Sequence, residues 1–285
     1  MSNVIVGFDF SSGSANAVDL AIDVANRIHL NLCLVYVKDK DQDETPIREE
    51  IERRNAAVAP LLQGIEMTYV IRQGKVSHEL VAQAKLDDSK LIIVGTNGMS
   101  GYEKHYLGRN AYRTIAESPV PVITLREDFH YTKDLSRIVV PIDSSPDTRQ
   151  KVSFATTLAQ IYGSELHILG LYTSESATIR GIVDGYVNMV DSYLEKANVK
   201  HICKCVNVPK NLTVTTLEYA DTINADLIII MTEQEPNLTS IVAGVVVVAG
   251  AAVGIILGNY AHQMLSLSKR PILSIRPKEI NSVAK

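Results

Sequence analysis

The residues Gly95-Thr-Asn-Gly98 close an apolar run, Leu91-Ile-Ile-Val94, and after nine further residues comes Gly108, followed by Arg109 and Asn110. Glycines at a strand exit let backbone approach a ligand closely, and a glycine loop leading into a helix is a common phosphate cradle. The same residues also suit an ordinary tight turn. A carboxylate, Asp9, stands at the exit of a second apolar run, Val4-Ile-Val-Gly7-Phe8. The chemistry on offer is anion capture by backbone amides, beside a hydrogen-bonding carboxylate. Nucleophilic chemistry has weaker grounds. Ser11, Ser12, Ser144 and Ser145 follow strand ends, but no adjacent histidine supplies a general base. They read as turn and N-cap residues.

Two other constellations bear on metals. His201-Ile-Cys203-Lys-Cys205 puts three metal-capable side chains on one face of a strand, because strand side chains alternate. A tetrahedral zinc needs a fourth ligand, and C-x-C on a strand is not a usual structural-zinc spacing. The plainer reading is small thiols facing a core, and no resident metal is expected. The acidic run Asp39-Lys-Asp-Gln-Asp-Glu44 lacks the glycine and terminal glutamate of an EF-hand loop. It reads as a solvated loop.

The elements that must position these residues occur twice. VIVGFDFSSGSANAVDLAIDVANRI, from Val4, and IVVPIDSSPDTRQKVSFATTLAQIY, from Ile138, each give a β-branched strand, an exit aspartate (Asp9, Asp143), a serine turn and a helical pattern. Val18, Ile22, Ala25 and Ile28 form one stripe at helical spacing, as do Val152, Ala155, Leu158, Ala159 and Tyr162. Strand-like stretches follow at 30–37 and 165–172, at 66–72 and 200–208, and as the closing runs 120–125 and 272–275. Strands alternating with helices predict parallel sheets covered on both faces. The expected architecture is α/β, two tandem doubly wound domains, each a five-stranded parallel sheet. Their boundaries fall at 1–126 and 137–278, with 127–136 as linker. The closing strands should pair the two domains about a pseudo-twofold axis, since an exposed edge strand invites aggregation.

Bulk composition narrows the classes. The 285 residues are 46% hydrophobic and 21% charged with net charge −4, which describes an ordinary globular protein with no basic surface for nucleic acid. Three cysteines suit a reducing cytoplasm. The N-terminal run is short and β-branched, and reads as a first strand instead of a signal peptide.

With this order of elements the sequence resembles the universal stress protein family in its tandem form, over nearly the whole chain. The family's phosphate motif is glycine, two residues, glycine, nine residues, glycine, then serine or threonine. Gly95, Gly98 and Gly108 match it, and Arg109 stands at the hydroxyl position. The resemblance implies an adenine nucleotide across the carboxyl ends of strands one and four, the switch point where open α/β sheets bind ligands. Asp9 would bond the base beside Gly7, and Val37 and Val94 would line an apolar slot. Gly95, Gly98 and Gly108 would bring backbone to the phosphates, with the amides of Arg109 and Asn110 at a helix N-terminus. Arg109 would either clamp a phosphate or obstruct it, and Lys104, His105 and Arg113 add positive potential.

The second copy has lost the loop. After Met231 come Thr-Glu-Gln-Glu, which place Glu233 and Glu235 where phosphates would lie. Glu235–Leu257 then supplies 23 residues where the family spacing is nine, and its apolar run 241–257 reads as a buried soluble insertion in preference to a membrane span. The function implied is a cytoplasmic stress-response regulator or sensor. Its first domain would bind ATP or another adenine nucleotide, with magnesium only as the nucleotide's counter-ion and at most slow hydrolysis. A second copy of the chain and an unidentified signalling protein are the candidate partners. The alternative is a nucleotide-free scaffold, membrane-peripheral through the insertion.

Overall fold

A computed structural model describes residues 3–96, 108–129, 131, 134–208, 211–232 and 257–277. Among these residues ten strands form one sheet. In chain order they are β1 (Asn3–Phe8), β2 (Asn31–Lys38), β3 (Met67–Gln73), β4 (Leu91–Gly95), β5 (Val122–Leu125), β6 (Arg137–Ile142), β7 (Glu165–Tyr172), β8 (His201–Asn207), β9 (Leu227–Met231) and β10 (Ile272–Ile275). Their spatial order is β3-β2-β1-β4-β5-β10-β9-β6-β7-β8. Every pairing within each half is parallel, as helical crossovers require. Among the described strands the middle pairing alone is antiparallel, Ile272↔Thr124, Leu273↔Ile123 and Ser274↔Val122. That register is symmetric about Ile123 and Leu273, so a local pseudo-twofold axis passes between them. The expected pairing of the halves through their closing strands is what the structure shows.

Helices cover both faces. On one lie α1 (Ser12–Ile28), α2 (Glu44–Val58), α5 (Val152–Tyr162) and α6 (Ala177–Lys196), and their apolar stripes share a core that includes Ile123, Leu125, Ile138 and Leu273. On the other lie α3 (Val76–Leu86), α4 (Arg109–Glu117), α7 (Leu212–Thr222) and α8 (Asn259–Leu267), over Ile92, Val122, Ile228 and Ile272. Each core therefore crosses the joint between the halves. α1 and α5 end alike, with His29 and Gly163 in left-handed conformation as C-caps. The acidic run after β2 is exposed from Asp39 to Asp43, and Asp43 caps α2 by accepting from the Thr45 amide.

A polar cluster pins the halves on the first face. The hydroxyls of Tyr131 and Tyr162 both donate to Asp23 on α1, and Arg27 pairs with the same carboxylate at 3.1 Å while its guanidinium lies over the Tyr162 ring. Burial, then the bond to Asp23, pushes both phenols above their ordinary range. Asn16 donates to the carbonyls of Glu127 and Phe129, and Leu135 is buried. The described residues between 127 and 136 are thus bound to the fold on both sides. Positions 241–256 of the apolar run lie outside the described residues. Among the described residues no helix is long and apolar enough to cross a membrane.

Cores continuous across β5 and β10 should make unfolding a single event. Leu273 is fully buried at the joint, so Leu273→Ala is expected to cost about 2–5 kcal/mol. In urea titrations followed by circular dichroism and tyrosine fluorescence, both probes should move together to a lower midpoint. Separate transitions for the two halves would contradict a shared core.

Candidate functional site

β1 and β4 lie side by side and parallel, with Val4 beside Leu91, because the chain winds outward in opposite directions from this pair. Beyond their carboxyl ends a cleft of about 200 Å³ opens among the described residues. Gly7 and Asp9 reach it from β1 and its exit, Val37 from β2, and Val94 and Gly95 from β4. Gly108, Arg109 and Asn110 reach it from the start of α4. Eight of the nine residues singled out in the sequence therefore share one cavity. Gly98 lies outside the described residues, as do Lys104 and His105.

One wall is apolar. Val35, Val37 and Val94 stand on the sheet, and Val76 and Leu80 of α3 face them. The sequence reading missed Val35, Val76 and Leu80. Their helical and strand patterns mark them as core, and only the packing of α3 beside the β1 end exposes their edges to a cleft. Asp9 borders the opposite side. Its Oδ1 accepts from the Ser11 amide at 3.1 Å and hydroxyl at 2.5 Å, and Ser11 in turn caps α1 through the Ser14 amide. This fixes the carboxylate and leaves Oδ2 without a hydrogen bond among the described residues. Ser11 is thus an N-cap, as its type suggested, and Ser12 bonds Glu127.

The far end of the cleft is the N-terminus of α4. Its N-cap is Gly108, no side chain caps it, and its first turn carries no acid. The Gly108 amide donates to the Thr96 carbonyl at 2.9 Å, so it is already used. The next three amides, of Arg109, Asn110 and Ala111, have no acceptor among the described residues. They concentrate the positive end of the helix dipole on the cleft. Arg109 and Asn110 are exposed, so Arg109 borders the cavity without plugging it.

The glycines have a reason that needs no ligand. A Cβ on Gly95 would stand 3.0 Å from the Gly13 backbone at the start of α1, and one on Gly108 would stand 2.4 Å from the Thr96 carbonyl oxygen. Neither has positive φ. Gly95 keeps β4 close to α1, and Gly108 lets the helix begin directly against the strand end.

The second half repeats the frame and changes its contents. Asp143 accepts from the Ser145 amide and hydroxyl, and its own amide is bonded by Thr148, matching Asp9, Ser11 and Ser14. Gly258 donates to the Thr232 carbonyl as Gly108 does to Thr96. Met231 occupies the position of Gly95, Tyr260 that of Asn110, and Lys151 that of Ala17. Tyr260 is buried, bonds Thr216 and lies within electrostatic reach of Asp143. Lys151 is 2% exposed, with Nζ donating to the Thr148 carbonyl at 2.7 Å and hydroxyl at 3.2 Å. Burial lowers its pKa from the ordinary 10.5 to about 8, against the opposing pull of Asp143. The sequence reading noted a lost phosphate loop, with its missing glycines and with Glu233 and Glu235, which lie outside the described residues. Lys151 and Tyr260 add a buried amine and a buried phenol, both within electrostatic reach of Asp143, and neither was legible without the pairing of the two halves.

Chemically, the first cleft suits a planar apolar ring at one end, a hydrogen-bond donor group near Asp9, and an anion at α4. Asp9 and Arg109 are the ionisable side chains among its described lining residues. The strand triplet lies elsewhere: His201, Cys203 and Cys205 project from one face of β8, and the two thiols pack against the core.

Comparison with known proteins agrees with this architecture. The profile of the universal stress protein family matches residues 1–126. Universal stress protein YxiE of Bacillus subtilis is 26% identical over 148 residues, covering 44% of this chain and 99% of that protein. Universal stress protein Rv2623 of Mycobacterium tuberculosis is 27% identical over 136 residues, covering 44% of this chain and 45% of its own length. A universal stress protein structure from Archaeoglobus fulgidus superposes with TM-score 0.72 over 97% of each chain at 16% identity, which speaks for the fold.

Lys151 gives a titration test of the second cleft. Its folded pKa lies below its unfolded value, so the unfolded chain binds the extra proton between about pH 8 and 10.5 and stability should rise with pH in that window. Thiols and phenols titrate there too, so the quantity to measure is the difference between wild type and Lys151→Met. Urea midpoints taken across that range should show the difference moving toward wild type, by at most ~3 kcal/mol. A pH-independent difference would mean that the amine is not buried in its charged form.

Proposed function

This chain belongs, through residues 1–126, to the universal stress protein family, and on that premise we propose that its first half binds ATP or a related adenine nucleotide. The observation that carries the reading is the uncapped, acid-free N-terminus of α4 at one end of an apolar cleft whose other end is a fixed carboxylate. The adenine lies between Val37, Val94 and Leu80. Its exocyclic amine donates to Asp9, where Gly7 leaves room for the ring. The phosphates meet the amides of Arg109, Asn110 and Ala111, joined by Gly98 and the loop before α4. The Arg109 guanidinium supplies a charge-assisted contact in place of the family's hydroxyl. Magnesium arrives with the nucleotide. The second half, with Lys151 and Tyr260 in its cleft, binds none, and serves as the first half's fixed edge partner.

On this reading the molecule is a cytoplasmic stress-response sensor or regulator that reports nucleotide occupancy to an unidentified signalling protein or to a second copy of itself. The three cysteines fit a reducing compartment. One observation favours a second reading, a nucleotide-free scaffold: packing alone requires the glycines at 95 and 108.

Calorimetric titration separates the two readings. Wild type is expected to bind ~1 ATP per chain, as one competent cleft implies. Asp9→Ala should weaken binding by ~10-fold or more, and Arg109→Ser by ~10–100-fold, the cost of a hydrogen bond to a charged group. Asp143→Ala should leave it unchanged. Tighter binding by Arg109→Ser would show that the arginine obstructs, and two equivalent sites would refute the asymmetry. Denaturing freshly purified protein and chromatographing the supernatant adds an independent reading. Absence of nucleotide there, together with no titratable ATP, leaves the scaffold.

A further inference from the structure

We propose that Asp191, His201 and Cys203 form a Zn²⁺-binding site at the outer edge of the second half. The carboxylate comes from the last turns of α6, and the imidazole and thiol come from β8, two residues apart and therefore on one face of the strand. One ligand atom from each lies within 4.8 Å of both others. Around a tetrahedral zinc, with bonds of about 2.0–2.3 Å, neighbouring ligand atoms stand ~3.3–3.7 Å apart. Closing on a metal therefore needs only small side-chain adjustments here.

The hydrogen bonding of His201 strengthens the case. Its Nδ1 lies 2.7 Å from the Val199 carbonyl, which can only accept, so Nδ1 carries a proton. A neutral ring then turns the lone pair of Nε2 toward Asp191 Oδ1, 3.1 Å away. Two acceptors at that separation repel unless a cation lies between or beside them, either a second proton on the ring or a metal. The Nδ1 bond to a carbonyl is also the outer-shell arrangement that fixes the ring of a zinc-bound histidine. Cys203 shares the same carboxylate and is half-buried beside it. A proton satisfies the His201–Asp191 pair and leaves the thiol bonded to the same carboxylate, whereas a metal uses all three groups as ligands.

The donor set selects the metal. Thiolate, imidazole and carboxylate together suit borderline Zn²⁺, and a soft sulfur ligand disfavours Mg²⁺ and Ca²⁺. The side chain of His201 is 11% exposed and that of Asp191 is 42% exposed, so the fourth position faces solvent and takes water. Three protein ligands and an open position describe an exchangeable site, not a closed structural one. Binding releases the Cys203 thiol proton to solvent. Because β8 is the last strand of the sheet and pairs only with β7 among the described strands, the metal would fasten this edge to α6. Cys205, on the same face, is engaged instead with Tyr172 and Asp184, and is not a ligand.

The test uses the full chain, stripped of metal and reduced, titrated with Zn²⁺ against a chromophoric chelator and with Co²⁺ by absorption spectroscopy. One Zn²⁺ per chain and a thiolate-to-cobalt charge-transfer band in the near ultraviolet are expected. Cys203→Ser should abolish the band. Cys203→Ser and Asp191→Asn should each weaken zinc binding by at least the ~10–100-fold that loss of an outer-shell partner costs. Cys205→Ser should keep both the band and the affinity. Asp191 is partly exposed, so its variant tests the site even if replacing the packed thiol disturbs folding. Wild type that binds no Zn²⁺, or binding unchanged in Cys203→Ser and Asp191→Asn, would overturn the proposal and leave His201 and Asp191 as an ion pair.

Discussion

The short antiparallel pairing of β5 with β10 carries more of this structure than its length suggests. Each strand closes its own half and would otherwise present unpaired amides and carbonyls along an edge. Pairing them satisfies those groups and merges two five-stranded sheets into one of ten. It also aligns the helical layers, so that α1 meets α5 and both cores run unbroken across the joint. Asp23, Tyr131 and Tyr162 then lock the same contact from outside the sheet. The register about Ile123 and Leu273 is self-complementary, so the two closing strands meet as equivalent partners within one chain.

That symmetry of frame frees the two halves to differ in content. Either half alone would have to bury its closing strand by dimerising with a copy of itself, and both clefts would then be identical. Tethered in one chain, the second half retains the aspartate, the serine turn and the glycine before its last helix. It replaces Ala17 by Lys151 and Asn110 by Tyr260. That puts a buried amine within electrostatic reach of Asp143 and a buried phenol at the helix start. The frame persists because it is packing.

The glycines show how one residue type answers two constraints. Gly95 and Gly108 sit where backbone meets backbone at 3.0 Å and 2.4 Å from an imagined Cβ, and the fold needs them for that alone. The same closeness brings the start of α4 to the end of β4 and leaves three amides directed at the cleft. A motif read as a phosphate cradle is in this protein first a device for bringing the start of a helix against the end of a strand. Anion binding would exploit what that junction leaves unsatisfied.

The sequence by itself determined the repeat, the parallel halves, the strand ends that carry Asp9 and Gly95, and the closing strands. All of these are local signals of period and punctuation, and β7 and β10 fall at the limits their patterns indicate. It also identified His201 and Cys203 as neighbours on one strand face. What it could not supply was partners from other elements. Asp191 approaches that pair from a helix, Val76 and Leu80 turn core positions into a cleft wall, and Lys151 and Tyr260 are buried in the second half, where the sequence showed lost glycines, two glutamates and a longer loop. In each case the decisive distance joins residues on different elements. Such contacts are fixed by how helices settle on the sheet, not by any spacing along the chain, so only the tertiary structure could decide them.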